Sequence, residues 1–389
     1  MDINILDVMF KLIRSAVCCE EKFTDTDKET IQSKIESLYD LSKKHDVQHL
    51  VGYALFKNRL INTENPYYSK FQKQQIVAVY RYERIQYELN EICAALEQLK
   101  IPFIPLKGSV IRAYYPEPWM RTSCDIDILV DKKDLDVAVN HLVSALGYRE
   151  DGRGSHDVSL FAPGEVHLEL HYELLEDWRA EFSRNLLRDV WKVALNKDGF
   201  NYHKVLPDEY FYLYHIAHMA KHFYNGGCGI RSFLDLWILN HKVNHDDEKR
   251  KTLLQSASLD KFSFVAENLS EVWFLNKQPD ETCVLMQEYV LTGGVYGNNQ
   301  NRITLQQTKK GGKFKYAMSR IFLPYDVIKF HYPVLQKHRW LLPFCQVRRW
   351  FKLLFCGGAK RSFNELKINQ NLSNAEKTKA EELIEKLGL

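Results

Sequence analysis

Asp125 and Asp127 are the residues whose type and spacing most directly demand a chemical explanation; they open the run DIDILV at 125–130. Side chains alternate along a strand, so residues two apart share a face. The two carboxylates therefore point one way, and Ile126 and Ile128 point the other way, toward a core. Neighbouring carboxylates repel, and burial raises that cost. A divalent cation removes the conflict, and hard cations such as magnesium favour oxygen ligands. Upstream, Gly108 and Ser109 lie between an apolar run at 101–106, read as a buried strand, and a helical run at 110–115. A turn of this kind before a helix offers free backbone N–H groups, which suit a phosphate. A phosphate cradle beside a metal-binding carboxylate pair points to chemistry on a nucleotide.

A later strand supplies the third acid. In VHLELHYEL, Val166, Leu168 and Leu170 alternate with His167, Glu169 and His171, so one face is apolar and the other can carry chemistry. Glu169 is the natural third ligand, and Glu173 competes because it shares the same parity. His171 reads either as a support to the ligands or as a side chain hydrogen-bonded within the sheet. Lys107 reads either as a phosphate contact or as a surface charge. Arg121, four residues before Asp125, is placed to reach a triphosphate. His215, His218 and His222 share one side of a helix, where packing and solvent contact is a simpler reading than a metal. Arg231 and Asp235 read most simply as an i,i+4 ion pair; in the alternative, Arg231 reaches the nucleotide.

The elements that position these residues follow from periodicity. Residues 1–60 carry apolar positions three and four apart, the spacing of amphipathic helices. Glu64-Asn65-Pro66 breaks that pattern, and a long helix is expected over 68–100. Residues 133–147 predict a helix with Gly147 near its C-cap. Gly152, Gly154 and Ser155 mark a turn, and a hairpin is expected around Pro163-Gly164. Helices return from Pro207. Residues 291–302 read as a glycine- and asparagine-rich loop, and Ser373 with Glu376 forms a capping-box signature for a terminal helix.

The 389 residues suffice for two or three domains. No stretch approaches the length of apolar sequence that a spanning helix needs. The first residues begin acidic and lack the basic region of a secretory signal, and the eight cysteines form no CxxC pair. Free thiols in a reducing cytoplasm are the expectation. The net charge of +3 conceals an asymmetry: residues 301–361 hold fourteen Lys and Arg against Asp326 alone. Such a segment hints at an anionic partner.

The run LKG at 106–108, YPEP at 115–118, Arg121 and DIDILV together resemble the bacterial nucleotidyltransferase family proteins, a group within the DNA polymerase beta superfamily. HDVQHLVGYAL and the later pattern His-x-x-x-His, Arg, Asp-Leu are similar to the helical parts of the same family. The resemblance implies an α+β fold, with a nucleotidyltransferase mixed-sheet domain at 101–177 set between helical regions at 1–100 and 178–389. It also implies a two-metal transfer of a nucleoside monophosphate from a nucleoside triphosphate to a hydroxyl, with release of pyrophosphate. Magnesium, with manganese as the alternative, would sit on Asp125, Asp127 and Glu169. Lys107, Gly108, Ser109, Arg121 and Arg231 would hold the nucleotide. The acceptor is left open among a small molecule, a protein and an RNA. The competing reading is a non-catalytic nucleotide- or RNA-binding module with the same fold. A third makes the basic aromatic segment an anchor to an anionic membrane surface.

Overall fold

The computed structural model describes residues 3–175, 186–294, 297, 299–309, 312–355 and 359–389. Four helices open the chain: α1 (Ile3–Ile13), α2 (Asp25–Ser33), α3 (Ile35–Lys44) and α4 (Gln48–Lys57). Thr24 and Asp27 form a reciprocal capping box that starts α2. The stretch LSKKHDVQHLVGYAL is not one continuous helix. Asp46 adopts a left-handed backbone (φ 55°) and separates α3 from α4.

The long helix α5 (Tyr68–Gln98) delivers the chain to the sheet. Ile85, Leu89, Ile92 and Leu96 are buried at three- and four-residue spacing, whereas Ile76 and Tyr80 are 62% exposed because they lie on the side of the helix opposite the buried Phe71 and Ala78. Five strands follow: β1 (Phe103–Pro105), β2 (Asp125–Val130), β3 (Arg149–Arg153), β4 (Asp157–Phe161) and β5 (His167–His171). Two short helices lie among them, α6 (Gly108–Ile111) and α7 (Leu135–Leu146). The sheet order is β1-β2-β5-β4-β3, with β2 and β5 parallel at its centre and every other pairing antiparallel. The hairpin expected around Pro163-Gly164 is β4–β5, and Gly147 caps α7 in the left-handed conformation (φ 71°). The region read as a turn at 152–155 begins inside a strand. All five residues of β3 are exposed, so this edge strand has no apolar alternation to betray it.

The two faces of the sheet have different fates. Ile126, Ile128 and Val130 of β2 and Leu168 and Leu170 of β5 pack with Val158 and Leu160 against α5 and α7. The opposite parity of β2 and β5 looks toward a second helical layer, α8 (Asp208–Tyr224) and α9 (Ile230–His241). Behind that layer lies α10 (Asp260–Leu275). The helices before and after the sheet share one apolar core: Phe10 of α1 stacks on Trp273 of α10 with ring centroids 4.7 Å apart. Arg14 donates to the Trp273 carbonyl across 3.1 Å.

The loop expected at 291–302 is shorter than the sequence suggests, since helices Glu281–Gly293 and Asn299–Lys309 enclose it; residues 295, 296 and 298 lie outside the described ones. The expected boundary at 177 also lies outside them. The terminal helix runs over Asn374–Leu387.

Candidate active site

Register brings the acids together. In the parallel β2–β5 pair, Asp125 is opposite His167 and Asp127 is opposite Glu169. Shared parity then puts Asp125, Asp127, His167, Glu169 and His171 on one face. Ligand atoms of Asp125, His167 and Glu169 lie within 4.8 Å of one another, and so do those of Asp127, Glu169 and His171. Glu169 belongs to both sets, so this cluster of acids could hold a metal ion. Carboxylate oxygens dominate, as hard cations require, and each set adds an imidazole. Glu173 lies past the end of β5, exposed in a bend whose N–H donates to the His156 carbonyl, and the strand parity that made it a competitor has ended by then.

Lys107 is not a surface charge. Its Nζ lies 2.7 Å from Asp127 Oδ1, and His171 Nε2 lies 2.8 Å from the same oxygen. His171 Nε2 is also 3.4 Å from Glu169 Oε2, so this imidazole bridges two acids. Burial tends to raise the pKa of Asp127, but Lys107 and His171 outweigh it and hold this carboxylate well below its ordinary range. The hydrogen bond from His171 likewise lowers Glu169. Asp125 goes the other way, raised first by burial and then by the charge of Asp127. Burial also works against a charged His171, yet its two carboxylate partners raise it. One acid that strongly favours ionisation thus sits beside one that resists it.

The Gly-Ser turn departs from the expected cradle. The helix begins at Gly108 itself and passes into a 3-10 turn over Arg112–Tyr114. The Ser109 N–H donates to the Leu106 carbonyl at 3.1 Å and is therefore not free. The Ser109 hydroxyl is buried and has no partner among the described residues. Gly108 is required by a neighbour, since a Cβ there would stand 2.9 Å from Arg121 Nη1. Arg112, overlooked in the sequence, ties the turn down: its Nε donates to the Gly108 carbonyl and its Nη2 to Ser123 Oγ, both at 2.7 Å. Its spacing of four residues from Gly108 was the signal available.

The expected pair of Arg231 with Asp235 does not form. Asp235 accepts instead from Arg121, at 3.0 Å from Nε and 2.7 Å from Nη2, and from the Tyr115 hydroxyl at 2.8 Å. Burial would raise Asp235, but Arg121 overcomes it and lowers the pKa. Arg231 reaches away from its own helix to the Thr122 carbonyl at 3.1 Å and to Asp46 Oδ2 at 3.4 Å. Tyr115 and Arg121, parts of the motif at 115–121, therefore clamp the turn region onto α9.

These groups line a cleft of about 1070 Å³ between the sheet and α8–α9. The carboxylates form one wall. His215, His218, Lys221, His222 and Arg231 face them, with Arg153 and Lys329 also lining the cleft. His215 donates to the Ser232 carbonyl at 3.2 Å, and the Nε2 atoms of His218 and His222 are 3.0 Å apart. None of these three histidines joins either ligand set found among the described residues. The arrangement suits a polyanion held by cations beside acids that could hold a metal ion.

No curated protein and no solved structure matches the chain. Residues 32–274 match the family described as uncharacterised nucleotidyltransferase. That span covers more than half of the chain and contains the carboxylate face, the Gly-Ser turn and the helices across the cleft; the chain belongs to the uncharacterised nucleotidyltransferase family.

Proposed function

We propose that this chain transfers a nucleoside monophosphate from a nucleoside triphosphate to a hydroxyl acceptor, with divalent cations, magnesium or manganese, held by Asp125, Asp127 and Glu169. One observation carries the reading: Asp127 and Glu169 are in register on adjacent parallel strands, with Asp125 two residues along, facing a cation-lined cleft. Bound cations would supply Lewis-acid activation of the attacking hydroxyl and neutralise charge on the departing pyrophosphate. The chain's own residues do the rest. Lys107 and His171 keep Asp127 ionised and ready to ligate. Lys107 also presents a cation to the triphosphate. The Ser109 hydroxyl and the Gly108 N–H address its outer phosphate. Arg121, its fork held by Asp235 and its Nη1 by the Thr122 carbonyl at 2.8 Å, fixes the turn at the edge of the cleft and lends its charge to the triphosphate. Arg231, on longer contacts of 3.1 to 3.5 Å, is the cation most easily recruited to the nucleotide. Catalysis would rest on positioning and charge neutralisation.

The competing reading, a non-catalytic nucleotide- or RNA-binding module, draws support from Lys107, which neutralises Asp127 without any metal. Incubation with each of four α-labelled nucleoside triphosphates, magnesium or manganese, and a cell extract separates the two. Transfer of label is expected to vanish in Asp127→Asn and Glu169→Gln and to persist in Glu173→Gln. Asp127→Asn leaves the buried Lys107 and His171 without their carboxylate and is expected to melt earlier, so circular dichroism checks that it is folded at the assay temperature. Wild-type transfer by Asp127→Asn would overturn the assignment. Nucleotide binding without transfer, measured by titration calorimetry, would favour the binding module.

A further inference from the structure

The helix Leu342–Phe355 presents the wrong face to solvent. An amphipathic helix of a soluble layer turns its apolar stripe inward. Here Cys345 and Gln346 are buried, while Phe344, Val347, Phe351 and Phe355 are exposed. Their spacing of three and four residues makes one row. The row extends to Trp340, which meets Phe344 edge-on at 6.4 Å. Exposures of 69% at Trp340, 68% at Phe344, 57% at Phe351 and 78% at Phe355 show that no described part of the chain covers it.

One cation, Arg348, interrupts this row, four residues from Phe344 and three from Phe351, and Lys352 lies at its border. Both are exposed. Arg349 is committed elsewhere, donating to the Arg320 and Ile321 carbonyls at 3.0 and 2.6 Å. The surrounding segment, 301–361, holds fourteen cations and a single acid. An aromatic crest with Arg and Lys on and beside it is the composition of a helix that lies in a lipid interface. No described helix is long and apolar enough to cross a membrane, so the contact would be with the surface.

We propose that this face docks on an anionic lipid surface, with the row from Trp340 to Phe355 in the acyl boundary and Arg348 and Lys352 among the headgroups. Charge decides between occupants. A second copy would bring an equally cationic face to meet this one, which repulsion opposes. A nucleic acid would need cations along the crest to meet its phosphates, but the crest carries aromatic rings with Arg348 as its one cation.

Flotation of the full chain with vesicles tests the proposal. Binding is expected to vesicles of phosphatidylglycerol with phosphatidylcholine, to weaken with salt, and to be absent with phosphatidylcholine alone. Changing Phe344, Phe351 and Phe355 together to Ser is expected to reduce partition by about tenfold or more. Arg348→Gln with Lys352→Gln is expected to weaken binding and flatten its salt dependence. Brominated lipid is expected to quench tryptophan fluorescence in the wild type and less in Trp340→Phe, a readout independent of the triple variant's folding. Absence of flotation on anionic vesicles overturns the proposal, as does equal binding by a folded triple variant. Dimerisation or RNA binding that the same changes abolish, without vesicle binding, would assign the face to those partners instead.

Discussion

Lys107 joins backbone strain to site chemistry in one residue. Its backbone (φ 47°, ψ −122°) lies in a region that residues with a Cβ rarely adopt. A residue held there costs roughly 1–3 kcal/mol. The strain persists because the ammonium is drawn to Asp127 Oδ1, beside Glu169, where it offsets repulsion between acids. Two substitutions separate the contributions. Lys107→Met keeps the strain and removes the charge, whereas Lys107→Gly removes both. Urea unfolding in chelator is expected to find the Gly variant more stable than the Met variant by about 1 kcal/mol. Equal stabilities would show that the turn carries no strain. Both variants are expected to lose nucleotide binding.

At the scale of elements, the turn into α6 works through side chains as much as through backbone. Gly108 is not in the left-handed region, so freedom of φ does not explain it. Space does: an added Cβ meets Arg121, whose guanidinium is pinned to Asp235 of α9. Gly108→Ala is expected to push Arg121 off Asp235 and destabilise the fold by about 1–3 kcal/mol. The same change made on an Arg121→Ala background is expected to cost much less, a non-additivity that denaturation of the four proteins would measure. Strict additivity would mean that Arg121 does not fill the space over Gly108. The motif at 115–121 thus holds two layers together, and the order of the Gly-Ser turn depends on it.

At the scale of the whole molecule, histidines far apart in the chain are buried in the neutral form. Burial lowers the pKa of His49 to about 4, and its Nε2 lies 2.8 Å from the Met120 carbonyl. His45 and His203 are lowered to about 4 for the same first reason. When the chain unfolds, each returns toward the ordinary value of 6.5. Between pH 4 and 6.5 the unfolded state binds more protons, so stability is fully present above 6.5 and falls as pH drops through this window. The slope is about 1.4 kcal/mol per pH unit for each such group. Urea unfolding at a series of pH values is expected to show this loss, and His49→Gln to flatten it. An unchanged slope in the variant would remove His49 from the account.

Much of the site was legible because face is a local property. The alternation of DIDILV and VHLELHYEL sends acids one way and Ile and Leu the other wherever the strands are placed. Helical spacing likewise revealed α5 and α7, since burial of one stripe repeats every three or four residues, and the capping signature at Ser373 and Glu376 announced the terminal helix. The α+β class and the family resemblance followed from these patterns together with the run at 106–130. Partners were not legible, because ion pairing is decided by which elements meet. Asp235 has an arginine four residues away, yet it takes Arg121, 114 residues distant, because α9 packs beside the turn that Arg121 closes. The exposed strand β3 lacks any apolar signal, and only pairing with β4 makes it a strand. His167 and His171 became candidate ligands only through the register of β5 on β2. Which side chains share a face can be read from local alternation, whereas which charges touch depends on how distant segments pack, and no local pattern encodes that.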